Sequence, residues 1–404
     1  MTSDRPRILY VCSHCPAGPD YGARLRTRHI GRLLQRFGEV TLLLASVGQW
    51  SEEQIRATRD EFDTAAILRF RQVGLPSLRD RLRRELDPAF LNTEGQILDG
   101  ADRALARRLA NEHDLVWIHT LRTANAVGLE RWPRAVLDVD DVPSQFFETE
   151  AARAPGPIAR WRLRMRAGQW RRREALAASR FDALCVCSAR DRDRFSDGRV
   201  EVIPNGFEID RAPERRPTDP PRFGFIGTLR YEPNRAGVEW LAREVWPRVR
   251  SALPGAVLRL AGEGTERAAL SHPGVEALGY VPDAGAEIAT WSAMLVPILT
   301  GGGTRIKVAE AFGRRCPVVS TALGAFGYDV RDGRELLIAD SAEAFAAACV
   351  RVARDEGLAQ SLTAAASAYY DAHCTWSASA SIVQSLVRDI AAAPTNQTVA
   401  EPVA

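Results

Sequence analysis

The strongest constraint in this chain is an alternation. Short apolar runs are separated by longer amphipathic stretches, and the pattern occurs twice. In the first half the apolar runs are 7–13 (RILYVCS), 40–45, 65–70, 114–120 (DLVWIHT), 134–141 (RAVLDVDD), 183–188 and 200–206. Stretches with helical spacing, such as 23–37 and 101–111, lie between most of them. The alternation breaks at 211–222 (RAPERRPTDPPR), a segment rich in proline and charge, and this composition predicts a linker. It restarts with 223–229, 256–264, 275–281, 293–299, 316–321 and 336–340, with helices predicted over 236–252 and 305–314. Strand–helix alternation implies βαβ units and parallel sheets that bind ligands beyond the carboxyl ends of their strands. The expected α/β fold is therefore two Rossmann-like domains, 1–210 and 223–374, facing each other across a cleft. An amphipathic helix at 375–391 is expected to return to the first domain, and 392–404 reads as a disordered tail.

Composition narrows the function. At 404 residues the chain is long enough for two cores, and its net charge of +3 argues against nucleic acid as a partner. No apolar run reaches membrane-spanning length, and the opening MTSDRPRILYVCS lacks the pattern of a signal peptide, so a cytoplasmic location is expected. The seven cysteines include Cys12 and Cys15, a CxxC without a second half, which predicts a bystander pair and no metal. The first strand leads into CSHCPAGPDYG, without the GxGxxG of a dinucleotide site.

Among 54 basic residues Lys307 is the single lysine, and it stands in GGGTRIKVAEAFG (301–313). Gly301, Gly302 and Gly303 let backbone N–H groups approach a ligand. Thr304 is a suitable N-cap, and the helix beyond it favours anions at its start. Arg305 and Lys307 in the first turn are unfavourable for the helix itself, which points to an external anion such as a diphosphate. Glu310 follows one turn later, where its carboxylate suits a ribose diol; the alternative is a surface ion pair between Lys307 and Glu310.

These motifs, together with IPNGFE (203–208), FGFIGTLRYEPN (223–234) and the run from 301 to 340, make the chain similar to retaining GT-B glycosyltransferases of family 4, the glycosyl transferases group 1. The resemblance is strong from about residue 200 and weaker before it. It implies transfer of a sugar from a nucleoside-diphosphate donor to a glycan, lipid-linked or natural-product acceptor, with retention and without a metal cofactor. It places Glu310 on the ribose, with Arg305 and Lys307 on the diphosphate and Gly227, Arg230 and Val281 in the donor loops. Gly22, in the loop after the first strand, would approach the donor phosphates, with Arg24 an anion contact beside it. His119 would lie beside the donor sugar, while Asp138, Asp140 and Asp141 are acceptor-side candidates or strand-terminating residues. Two positions depart from the family. The first glutamate of its E-x7-E motif falls on Gly302, and the usual Arg and Lys after the first strand of the second domain lack clear equivalents.

Residues 153–180 carry nine arginines, one acidic residue and the tryptophans Trp161 and Trp170. That segment predicts either a peripheral contact with an anionic membrane or a long exposed helix. A nucleotide-sugar epimerase and a non-catalytic nucleotide-sugar-binding scaffold are the competing functions. Gly302 encourages the scaffold, and the basic segment argues against the epimerase.

Overall fold

Ile8 to Cys12 are all fully buried, which is why the first strand reads as an unbroken apolar run. The computed structural model describes residues 5–18, 22–48, 50–74, 77–209, 214–267 and 272–393. Its contacts divide into two compact units, 1–203 with 379–404, and 204–378.

The first unit is built on a seven-stranded sheet. Its strands are β1 (Arg7–Cys12), β2 (Glu39–Ser46), β3 (Asp63–Arg69), β4 (Leu115–His119), β5 (Ala135–Asp140), β6 (Ala183–Val186) and β7 (Arg199–Val202). All pairings are parallel and the order is β3-β2-β1-β4-β5-β6-β7. The order reverses between β1 and β4, the place where such sheets open a ligand crevice. Leu9, Val11, Val116, Ile118 and Leu137 join one core on a face of this sheet. Helix α1 (Gly22–Phe37) buries Leu25, Ile30, Leu33 and Leu34. An antiparallel pair, Arg71–Gln72 with Gln96–Ile97, has no counterpart in the predicted strands; two residues are too short to show a period.

The second unit carries β8 (Arg222–Ile226), β9 (Val257–Ala261), β10 (Val275–Gly279), β11 (Ala293–Val296), β12 (Val318–Ser320) and β13 (Leu337–Ile338). Their order is β10-β9-β8-β11-β12-β13, again parallel and again reversing, here between β8 and β11. Leu295 faces one core and Val296 the other, so both faces of this sheet are covered. The single helix predicted over 236–252 is broken. Glu232–Trp240 and Trp246–Ala252 flank a widened turn at Leu241–Val245. Pro247 has no N–H to give to the turn before it, which accounts for the widening.

Where it is described, the segment predicted as a linker, 211–222, is hydrogen-bonded to the second unit. Arg216 N donates to Ala289 O (2.8 Å), Thr218 N to Thr290 O (3.2 Å) and Arg215 Nη1 to Ile288 O (2.9 Å). The charged segment is a seam of the second unit because its backbone and guanidinium groups find carbonyl partners there. Residues 210–213 lie outside the described residues. The unit boundary falls before Pro204, ahead of IPNGFE: Phe207 N donates to Cys374 O (2.8 Å) and Tyr370 Oη to Phe207 O (2.7 Å). The helix Ala380–Ala391 packs on α1 within the first unit, and Arg199 pairs there with Asp389 at 3.1 Å. Of the expected tail, 394–404 lie outside the described residues.

Candidate functional site

Two loops leave the strand-order reversal of the second unit. One begins at Gly227 after β8, and the other includes Gly301–Gly303 after β11. The helix that follows, α2 (Ile306–Gly313), starts one residue later than Thr304 would place it. Arg305 is its N-cap residue, with no side-chain cap. The Thr304 hydroxyl is taken instead by Asn205, whose Nδ2 donates to Oγ1 at 2.8 Å.

Arg305 is buried, at 7% exposure. Its Nη1 donates to the Gly302 carbonyl, and Tyr328 Oη donates to the Arg305 carbonyl at 3.0 Å. Its Nε and Nη2 are buried with no hydrogen-bond partner among the described residues. An ionised group left in that state costs folding free energy unless an anion answers it. Gly301 (φ +104°) leaves the space open, since a Cβ there would stand 3.2 Å from Arg305 Nη2 and 3.1 Å from Pro233 Cγ.

Lys307 lies one turn into this site. Its Nζ donates to Asn234 Oδ1 (2.9 Å) and sits 4.0 Å from the centre of the Phe225 ring. Asn234 is held in turn by donating from Nδ2 to Thr228 O at 2.9 Å. Of the three ammonium donors, one faces Asn234 and the ring engages a second, which leaves one for a ligand. Burial, and next the Arg305 charge, push the Lys307 pKa down to about 7, with Glu310 acting in the opposite direction. A Cβ on Gly227 (φ +149°) would lie 3.1 Å from Nζ and 2.8 Å from Asn234 Nδ2, so glycine keeps the ammonium uncovered.

The structure replaces the Lys307–Glu310 surface pair: no ion pair joins these two, and Glu310 Oε1 accepts from Arg314 Nε at 3.0 Å. Arg230 is exposed and bridges to Glu263 at 2.7 Å. Val281 is half-buried against the core around Val296. Sequence reasoning assigned no role to Asn234, Phe225 or Tyr328. Asn234 and Phe225 both stand in FGFIGTLRYEPN, so the motif marked their place without their task.

In the first unit, His119 ends β4 and is fully buried. Its Nε2 lies 3.3 Å from Asp140 Oδ2. In the neutral ring with its proton on Nε2, that nitrogen donates to Asp140 and Nδ1 is an acceptor; Nδ1 is buried with no partner among the described residues. His14 stacks edge-on at 5.6 Å between ring centres, and its pKa is pushed down to about 4 by burial first and by His119 next. Thr120 (φ 71°) and Asp140 (φ 54°) hold left-handed backbone at the ends of adjacent strands, a strain that gathers at functional sites.

Asp138, an acceptor-side candidate, points into the unit. It is fully buried and paired with Arg26 at 2.6 Å, with Arg26 equally buried. Arg24 is also buried and donates from Nε to Cys15 O at 2.9 Å. Gly22 opens α1 and Asp141 is exposed. Residues 19–21 of the loop before Gly22 lie outside the described residues. All seven cysteines are buried free thiols, and no group of three or more His, Cys, Asp or Glu that could hold a metal occurs among the described residues.

Two doubly wound parallel sheets are the GT-B fold of glycosyltransferases, and solved structures of that fold match nearly the whole chain. Sucrose-phosphate synthase from Thermosynechococcus elongatus matches with a TM-score of 0.66 at 16% identity, covering 96% of this chain and 99% of that one. The Anabaena protein Alr3699/HepE in complex with UDP and glucose matches at 0.62 and 15%, covering 95% and 99%. Residues 220–355, within the second unit, match the model of the glycosyl transferases group 1. Glycogen synthase of Mycobacterium tuberculosis is 31% identical over 179 residues, 42% of this chain, and the chain covers 38% of that enzyme's length.

Proposed function

We propose that this protein is a glycosyltransferase that moves a sugar from a nucleoside diphosphate to a glycan, lipid-linked or natural-product acceptor, with retention of configuration and no metal. The observation that carries this is the buried Arg305 guanidinium, two of whose nitrogens lack partners, beside the single lysine of the chain. Arg305, Lys307 and the glycine amides would balance the departing diphosphate in a partly dry site, where fixed charges act most strongly. The UDP bound by the Anabaena relative supports a nucleotide on this fold. Glu310, oriented by Arg314, would hold the ribose. His119 Nδ1 would accept a hydrogen bond from a sugar hydroxyl. Gly302 keeps a role through its carbonyl, which fixes Arg305 where the family pattern has a glutamate.

A membrane-side acceptor is part of this reading. The helix Pro157–Arg180 exposes Ile158 (67%), Trp161 (61%) and Met165 (45%) among its arginines. Trp170, expected at the same interface, is instead buried. No helix among the described residues is long and apolar enough to cross a membrane. The test is a panel of nucleoside-diphosphate sugars, scoring nucleoside-diphosphate release with and without extracted glycolipid. Release from at least one donor, increased by glycolipid, is expected. Tight donor binding with no release from any would establish the scaffold instead.

A further inference from the structure

The first unit contains a cavity of about 720 Å³ that the donor chemistry does not use. It is bounded by the helices Leu78–Leu86, Leu121–Val127, Pro143–Arg153 and Pro157–Arg180 and by residues 93–95. Leu121–Val127 follows β4 directly, and Pro143–Arg153 begins three residues after β5. The cavity therefore lies against helices leaving the carboxyl side of the sheet, the side on which such sheets bind ligands.

Its lining is strongly cationic. Arg81, Arg84, Arg122, Arg166 and Arg173 contribute to it, against one carboxylate, Glu94. Arg84 is answered by Glu85 at 2.7 Å, and Arg122 is only loosely answered by Glu94 at 3.9 Å. Arg166 and Arg173 have no carboxylate within ion-pair distance among the described residues. Arg173 is 4% exposed, and its Nε is buried with no hydrogen-bond partner, although Nη2 reaches the Arg84 carbonyl. Trp170 is flanked by two guanidiniums, Arg122 and Arg173, each 5.5 Å from the ring centre, and Arg166 lies 5.6 Å from the Phe147 ring. The aromatic rings hold the cations in place, yet they do not neutralise them. Like charges gathered round one cavity repel, and a ligand of opposite charge relieves that repulsion.

We propose that this cavity binds the acceptor through a phosphate or an equally charged anionic group, so that the sugar is transferred to an anionic acceptor. The assignment of the ligand as acceptor rests on the glycosyltransferase reading above. Arginine suits it because its planar fork engages two oxygens of one phosphate. The same group can come from a free sugar phosphate or from a lipid headgroup.

The experiment is calorimetric titration of the full chain with glucose 6-phosphate, with glucose as the neutral control, and with monomeric dihexanoyl phosphatidic acid, which offers a headgroup without a membrane surface. UDP is titrated into every protein alongside. Arg122→Gln/Arg166→Gln alters two exposed arginines and is expected to weaken the bound probe roughly tenfold or more, the scale of lost charge-assisted bonds. Glu94→Gln should tighten it severalfold. Glucose 6-phosphate binding alone identifies a soluble acceptor, and phosphatidic acid binding alone identifies a lipid-linked one. If neither probe binds, or binding ignores both variants while UDP still binds, the cavity proposal is overturned and the transferase reading stands. If UDP does not bind to any protein, the transferase reading fails and the acceptor assignment falls with it.

Discussion

Lys307→Met is expected to weaken nucleoside-diphosphate binding by about 1–3 kcal/mol, roughly 5–150-fold, and to raise the melting temperature at pH 7. Methionine keeps an unbranched stem in the space and removes the charge. The two effects have opposite signs for one reason. Burial lowers the Lys307 pKa to about 7 from 10.5, so the folded chain holds this proton less tightly than the unfolded chain does. Between those values the unfolded chain carries a proton the folded one has lost, and the residue's penalty on stability shrinks as pH rises. At pH 7 and below most of the penalty is present, and methionine relieves it. A diphosphate reverses the preference, because it favours the ammonium. Donor affinity of the wild type should therefore fall as pH rises above about 7, by at most about tenfold per pH unit, and Lys307→Met should lose that slope. Calorimetry with UDP from pH 7 to pH 9 measures it. A variant that binds like the wild type at every pH would assign the lysine to packing with Asn234 and Phe225 alone.

The central strands of the sheets were legible because they are buried on both faces. RILYVC and VTLLLA show no alternation to misread, only apolar runs bounded by polar turns. The glycines of 301–303 and the cations after them were legible for a different reason: residues close in sequence act together in space. What was hidden depends on distance along the chain. Asn234 meets Lys307 across 73 residues, and nothing local to either marks the pairing. Thr304 is a good N-cap by type, yet its hydroxyl serves Asn205, 99 residues away, and the helix starts later. Trp170 sits in an arginine-rich sequence that reads as a membrane face, although its side chain turns inward to the cavity. The hydrogen bonds of 214–222 were hidden for the same reason, since composition reports a segment's polarity and not the carbonyls that meet it.

Asp138 gives the sharpest contrast between a strand-end carboxylate that serves a ligand and one that serves the fold. Asp138→Ala is expected to cost about 3–5 kcal/mol, because Arg26 is left charged and fully buried. For a unit of this size that corresponds to a melting temperature lower by roughly 6–20 °C, read by calorimetry. Arg26 keeps the Ile203 carbonyl at 3.0 Å and a longer contact to Asp140 at 3.9 Å, but neither replaces a carboxylate that meets both Nε and Nη2 at hydrogen-bond distance. Replacing both partners with apolar residues, Arg26→Met/Asp138→Leu, should recover most of the loss, since the desolvation of both ions disappears with them. Transfer per folded molecule should then be close to that of the wild type. Asp140 differs by two residues and by its surroundings: it is 8% exposed, meets His119 at 3.3 Å and holds strained backbone. Lost transfer with an unchanged melting temperature in Asp138→Ala would return Asp138 to the acceptor and leave the buried pair without its structural role.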